Sequence, residues 1–519
     1  MSILLISAPN DRPFYATPQL GVFRIGHYLE KAGLACDIFD PNIDKPEQWQ
    51  RKKAPYSIIA VSGNNVCMHE CLDLVRHFAS LQETRPLLVA GGITPTYNYE
   101  DWLESGVDAV ILGYGEEPML ALGRAAETNV GKWADVFSNI KGLAFQGPDG
   151  LVKINPAEPL TAELFTSLTY ENMYDIEIPY QQYWDINSSM VQQLSVDNHD
   201  FIVKTVRLFT SSQCPNRCGY CPSKFLSKAQ GFAARRLSLT PEQSLELIRE
   251  SYERHGCDLI FFNDEEFLCD RKTVKALCRL IIEDKSKNKL PEELRFQCQS
   301  RAVDFLCKGE VDRELLEILE LAGFNRISLG VENICERLLA TPIMNKAQYN
   351  SKDIENIVSA FRETSIALTL NFMLLVPESS FEELRRNCEA ILALLQQDIL
   401  LLINLYIMAA PGAPAYESGS YEIATRPMIS PLNNKELMLP AYFVPQDKRL
   451  REGLKNLDKL IEEELDEFLK NVDSDNDCIS TTIRGIILCQ AVLKMMAEKE
   501  LYSEFKLMLR QKAKAMLKS

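Results

Sequence analysis

Short apolar runs alternate with amphipathic stretches over the first 128 residues. ILLIS (3–7), ACDIF (35–39), SIIAVS (57–62), LLVAG (87–91) and AVILG (109–113) read as buried strands. The segments 20–33, 69–82, 98–105 and 117–127 carry apolar residues at helical spacing, the first closing at Gly33. Buried strands joined by helices predict a doubly wound, Rossmann-like parallel sheet over residues 1–128. The rhythm lapses over 129–200. GLAFQGPDGLVKI reads as a hairpin turning at PDG, and the polar and aromatic sequence through IEIPYQQYWD as a linker packed between domains.

Alternation resumes over 201–415. TVRLFT, DLIFF, LRFQC, RISLG, LTLNFMLL and LLINLYIM are strand candidates with helical sequence between them. One helix starts at Thr240, with Pro241 at its first position and Gln243 completing a capping box, and Leu245, Ile248 and Tyr252 share a face. Another stops at Gly323, and a third carries Ile354, Ile357, Val358 and Phe361 at helical spacing. Six strands with five helices predict a partial (β/α)6 barrel, a fold that places its chemistry at the C-terminal ends of the strands. Residues 416–519 read as a proline-containing loop followed by charged helices such as KNLDKLIEEELDEFLK, a helical C-terminal domain with solvated faces. The fold class is α/β.

Composition narrows the partners. A net charge of −16 does not attract a polyphosphate backbone, so general nucleic-acid binding is not expected. MSILLISAPN has no basic leader and reads as a strand, and no apolar run approaches the ~20 residues of a membrane span, so a cytoplasmic location is expected. The 15 cysteines are read as reduced and mostly buried, and the odd count argues against a complete disulfide framework. Cys67 and Cys71, four apart on a helix, are read as structural.

Cys214, Cys218 and Cys221 are different: they share one loop, CPNRCGYC, just after the first barrel strand. Most cubane clusters take four cysteines. Three thiolates on a tight loop would hold three irons and leave the fourth open to an amino acid's amine and carboxylate. A structural zinc needs a fourth ligand, usually from a second pair, and no second CxxC or HxxxH occurs.

CxxxCxxC with an aromatic residue, Tyr220, before the last cysteine resembles the signature of the radical SAM superfamily. FFNDEEF (261–267) resembles the family's second-strand segment, and QSRAVDF (299–305) its third. RISLGVEN (326–333) resembles the fourth, and PGAPAY (411–416) the end of the sixth. The resemblance implies a [4Fe–4S] cluster on the three cysteines and S-adenosylmethionine held near Tyr220, Asp264, Glu265, Ser300, Arg301 and Glu332. Asp264 is the preferred contact for the methionine amine and Glu332 for the ribose. Arg301 is open to pairing with Glu332, with a substrate carboxylate, or in a structural ion pair. FMLLVPESS (372–380) departs from the family's glycine-rich fifth strand, with Leu375 and Glu378 where glycines are expected.

The first 128 residues resemble the cobalamin-binding domain that precedes many such barrels. PQLGVFRIGHYLEKAG is similar to its opening helix, GGITPT to a Gly-Gly-Pro-His-x-Thr-like segment, and LGYGEEP to a Gly-Glu-Gly-Glu-like segment. The resemblance implies cobalamin beside Gly91, Gly92, Gly113 and Gly115. It departs where PNDRPFY lacks the axial histidine of Asp-x-His-x-x-Gly, and His27 and His69 fall on helices, where a lone histidine is usually structural. The whole implies a cobalamin-dependent radical methyltransferase acting on a small-molecule or peptide substrate and supplied by an electron donor such as flavodoxin or ferredoxin. Alternatives are radical cyclisation or rearrangement with cobalamin in another role or absent, and a non-catalytic iron–sulfur or corrinoid binder. Methylthio transfer to tRNA is disfavoured, since neither a second cluster motif nor a basic C-terminal module is present.

Overall fold

The computed structural model describes residues 2–9, 16–45, 55–64, 66–128, 133–193, 202–229, 236–472 and 481–516. In the first sheet, β1 (Ser2–Ile6), β2 (Ala35–Phe39), β3 (Tyr56–Ser62), β4 (Leu87–Gly91) and β5 (Ala109–Ile111) run parallel in the order β2-β1-β3-β4-β5. Alternate residues feed opposite cores. Ile3, Leu5, Ile58 and Ala60 pack with α1 (Leu20–Lys31), whereas Leu4, Ile6, Ile59 and Val61 pack with α2 (Met68–Ser80). This two-sided burial is why the strands read as continuous apolar runs. The expected hairpin forms as β6 (Leu143–Gln146) and β7 (Val152–Asn155), and β6 pairs antiparallel with β5, so it extends the first sheet.

The barrel strands are β8 (Thr205–Leu208), β9 (Leu259–Phe262), β10 (Arg295–Arg301), β11 (Phe324–Glu332), β12 (Ala367–Leu375) and β13 (Leu400–Tyr406). They lie parallel in sequence order, each beside the next, as successive crossover connections of one hand produce. The capping box predicted at Thr240 is present in full, and the helix that ends at Gly323 does so with that glycine at φ 102°.

One part of the C-terminal expectation needs correction. Residues 416–519 are not helical throughout: β14 (Ile423–Ile429) and β15 (Glu436–Phe443) form an antiparallel hairpin that reaches back to the first domain. Leu437 and Leu439 are buried in the core behind the first sheet, and the turn is fastened by Ser430 Oγ to Ser105 O (2.6 Å) and Asn433 Nδ2 to Glu104 O (2.9 Å). The helices then follow. In one of them, Thr481–Met495, Gly485 lies against Ile403, where a Cβ would come within 2.9 Å, so this apolar helix covers the edge strand β13. Among the described residues no helix is long and apolar enough to cross a membrane.

Candidate active site

The cysteine loop sits over the C-terminal mouth of the barrel and is pinned from two sides. Glu265, just past β9, accepts from the backbone N–H of Cys214 (2.7 Å) and from Ser223 Oγ (2.6 Å). The segment after β11 holds the other side: Tyr220 N donates to Ile343 O (2.9 Å) and Asn345 Nδ2 to Arg217 O (2.7 Å). Gly219 lies so close that a Cβ there would stand 2.1 Å from Pro342 O, so the glycine inside CxxxCxxC is a steric requirement. Cys214, Cys218 and Cys221 are free thiols and partly exposed. Burial pushes the Cys214 thiol up to about 12 and that of Cys221 to about 11, and raises Cys218 as well. Such thiols stay protonated at neutral pH until a metal displaces the proton, which is the donor chemistry an iron cluster uses. Among the described residues no three His, Cys, Asp or Glu side chains are grouped as around a single ion. A cubane asks for a wider set, because its thiolates bind different irons.

The acidic run after β9 divides its labour. Asp264, 3% exposed, accepts from Thr210 N (3.0 Å), Thr210 Oγ1 and Ser211 Oγ, which ties β8 to β9. Burial raises its carboxyl, opposed by those hydrogen bonds and by Arg236. The preferred amine contact therefore serves as a brace beneath the loop. Glu266 faces Ser300 and Arg301: Ser300 Oγ donates to Oε1 and Arg301 Nε to Oε2 (3.1 Å). Burial, then the neighbouring Asp304, pushes Glu266 up to about 8. Among protein acids Arg301 pairs away from the carboxylate expected at the ribose. Its partners are Glu266 and Asp304 (2.8 Å), not Glu332.

Glu332 closes β11 with φ 63°, a left-handed conformation that costs a non-glycine residue of order 1–3 kcal/mol and persists where the surroundings enforce it. They do so here. Lys346 Nζ lies 2.6 Å from its Oε1, Tyr220 OH donates to the same oxygen (3.2 Å), and the register shifts between Gly330 and Glu332. A Cβ on Gly330 would stand 2.7 Å from that carboxylate. Burial works against the Lys346 ammonium, but Glu332, Tyr349 and Cys218 together outweigh it and raise its pKa. Lys346 escaped the sequence reading because a single lysine in a loop carries no periodic or motif signal. Cys218, Arg301, Lys346 and Tyr349 line a shared cavity of about 210 Å3.

The first domain meets this mouth with the C-terminal ends of its own strands. Gly92, φ 105°, turns the chain after β4, and Thr96 stitches this turn to the next strand: its Oγ1 donates to Gly92 O (2.7 Å) and accepts from Gly113 N (3.1 Å). A Cβ on Gly115 would stand 2.5 Å from Ile25 Cδ1, the movable end of a side chain, and Gly91 has only ordinary contacts, so packing alone demands glycine at neither position. Ile93, directly after the glycine pair, is 64% exposed, and Val66 beyond β3 is 45% exposed. An open backbone turn flanked by exposed aliphatic side chains fits a large, partly apolar ring such as a corrin. His27 bonds Asp175 (3.0 Å), a structural pairing as expected, and His69 is exposed on α2. PNDRPFY lies outside the described residues, apart from its first proline.

The two ends touch. Tyr97 is buried with Ala410 and Ala413, beyond the last barrel strand, and packs against Phe225, just after the cysteine loop. Burial, then proximity to Cys221, pushes its phenol up to about 12. Tyr114, also raised by burial, lies under the Arg24 guanidinium (5.3 Å) and within electrostatic reach of Glu265.

Comparison with known proteins agrees with this geometry. Residues 208–391 match the family model for the radical SAM superfamily, and residues 10–123 match that for the B12 binding domain. Anaerobic magnesium-protoporphyrin IX monomethyl ester cyclase from Cereibacter sphaeroides is 25% identical over 307 residues, 58% of this chain. The match spans 44% of that enzyme, under half its length. Among solved structures, the radical S-adenosylmethionine methyltransferase TsrM from Kitasatospora setae, with cobalamin and a [4Fe–4S] cluster bound, superposes with a TM-score of 0.64. It is 18% identical, over 86% of this chain and 88% of that one. The cobalamin-dependent S-adenosylmethionine radical enzyme OxsB, with aqua-cobalamin and S-adenosylmethionine bound, gives 0.61 at 15% identity, over 100% of this chain and 83% of that one. At these identities the structural likeness is one of fold. The cysteine loop over a six-stranded parallel barrel, the glycine turns of the facing sheet and both family matches make this chain a radical SAM superfamily enzyme with an N-terminal B12-binding domain, a pairing that implies a [4Fe–4S] cluster, S-adenosylmethionine and cobalamin.

Proposed function

We propose that the enzyme methylates an unactivated carbon of a small-molecule or peptide substrate held between its two domains. The observation that carries this reading is the apposition of two strand-end surfaces, with Tyr97 beside Cys221 and Tyr114 near Glu265. When bound, the cluster with S-adenosylmethionine supplies a carbon radical able to abstract hydrogen, and cobalamin supplies a methyl carrier. The protein's own part is orientation and the exclusion of water. Cys214, Cys218 and Cys221 would hold the cluster. Glu265 keeps their loop in place, and Ser300, Arg301, Tyr220 and Glu332 form the rim at which S-adenosylmethionine would be seated. Asp264 acts one layer below. Gly91, Gly92, Gly113 and Gly115 shape the opposite wall for cobalamin.

Radical cyclisation is the second reading, favoured by the likeness to the magnesium-protoporphyrin cyclase. One experiment separates the readings without knowledge of the substrate. The anaerobically reconstituted enzyme, loaded with cobalamin, is given S-adenosylmethionine and a low-potential reductant. Methyl transfer predicts both 5′-deoxyadenosine and S-adenosylhomocysteine. Deoxyadenosine without S-adenosylhomocysteine supports cyclisation, and neither product with any reductant supports a binding protein.

A further inference from the structure

The variable residues of the cysteine motif are not passive. Asn216 Nδ2 lies 3.0 Å from Cys214 Sγ, and Arg301 Nη1 donates to Asn216 Oδ1. This second contact fixes the first. A guanidinium has only donors, so the amide must turn its oxygen towards Arg301 and therefore its NH2 towards the sulfur. Arg301 is in turn immobilised: its Nε donates to Glu266 (3.1 Å) and Asp304 (3.0 Å), and its Nη2 donates to Asp304 (2.8 Å). A buried acid pair thus aims a cation, the cation orients an amide, and the amide points a donor at one cluster ligand.

We infer that Asn216 tunes the reduction potential of the cluster, through an N–H···S hydrogen bond to the Cys214 thiolate whose direction Arg301 enforces. The potential of an iron–sulfur cluster responds to hydrogen bonds on its sulfurs and to local charge. Reduction adds negative charge to the cluster and its thiolates, and a donor aimed at sulfur stabilises that charge more than the oxidised form. The bond therefore makes the cluster easier to reduce. Asn216 is a tuning residue, acting on a ligand rather than on substrate. Its effect does not depend on which reaction the enzyme runs.

The test is an EPR-monitored redox titration of the full-length, anaerobically reconstituted enzyme, without S-adenosylmethionine. Parent, Asn216→Ala and Asn216→Asp are compared at matched iron content. In Asn216→Ala the reduced-to-oxidised ratio at a fixed applied potential is expected to fall roughly tenfold, a shift of about 59 mV for a one-electron couple. Asn216→Asp keeps an oxygen facing Arg301 but replaces the donor with an anion, so it should fall at least as far. Parental potentials in both variants, with full iron, would overturn the inference. If either variant fails to assemble its cluster, the parent decides. Pulsed EPR of the reduced cluster after labelling with side-chain 15N asparagine must show a coupled 15N nucleus, and its absence overturns the inference equally.

Discussion

The two strand-end surfaces that face each other in this enzyme are built from opposite materials. The barrel mouth is dense with ionisable side chains locked to one another: Glu265 on the cysteine loop, Glu266 and Asp304 on Arg301, Glu332 on Lys346. The facing sheet offers backbone turns at Gly92 and Gly113, stitched from beneath by the buried Thr96 hydroxyl, and the aliphatic side chains of Ile93 and Val66. Fixed charges hold small, charged, chelating groups in one orientation, whereas open backbone and apolar surface accept a large ring by shape. The contrast teaches that the barrel orients by electrostatics and the sheet by steric fit, so damage to each should differ in kind.

The largest break is Cys214→Ala. It should abolish cluster assembly, read as iron content and cluster EPR, while the first domain still retains corrinoid by visible absorption, because the two surfaces use different residues. Equal iron in variant and parent would contradict the ligand assignment. Next is Lys346→Met, which strands the buried Glu332 carboxylate. Removing one partner of a buried pair costs about 3–5 kcal/mol, read by denaturant unfolding of the apo chain. Adding Glu332→Gln should recover part of that loss, and a Lys346→Met variant as stable as its parent would show that the pair is not sequestered from water.

How much of this was readable in the sequence follows from what each feature depends on. Strands and caps depend on local pattern, so both sheets, the box at Thr240 and the stop at Gly323 were legible. The β14–β15 hairpin was not, because Pro427 and Pro440 sit inside it. Proline cannot donate to a ladder and is confined to edge strands, first positions and bulges; here the two prolines sit in a two-stranded ribbon whose register shifts between Ala424 and Thr425. The grouping of Cys214, Cys218 and Cys221 on one loop was legible from spacing alone. The identity of the partner of each charge was not: Arg301 chose Glu266 and Asp304 over Glu332, and Lys346 came from a loop 14 residues beyond Glu332. Asp304 is only three residues from Arg301, but the meetings of Arg301 with Glu266 and of Lys346 with Glu332 are made where neighbouring strand ends and a following loop come together, which leaves no trace in local sequence.

On the sheet side the expected effects are smaller. Gly92→Ala places a side chain at φ 105° and within 3.1 Å of Ser62 Oγ. With ψ at −174° this is a backbone region essentially reserved for glycine, costing an L-residue of order 1–3 kcal/mol, and the same Cβ reshapes the turn proposed to face cobalamin. Corrinoid retention should therefore fall while iron content stays at the parental level. Loss of iron together with corrinoid would mean that the two surfaces are not separable.

The smallest effect lies just outside both surfaces and calibrates how far charge alone stabilises the barrel. Glu383 starts the helix after β12, where Ser380 caps it, and Arg337 grips both of its carboxylate oxygens (2.6 Å each). Those bonds hold the Glu383 carboxyl down, to about 2 from an ordinary 4.5. A carboxyl with a depressed folded pKa contributes stability that is complete above the unfolded value and is lost as pH falls towards the folded one. The window is thus pH 4.5 to 2. The Arg337 side chain is 58% exposed, so solvent screening reduces the gain to about 1 kcal/mol. Unfolding free energies of the apo chain should decline more steeply across that window in the parent than in Arg337→Met. Parallel profiles would show that this half-exposed pair contributes nothing, and that the barrel's electrostatic stability resides in its buried mouth.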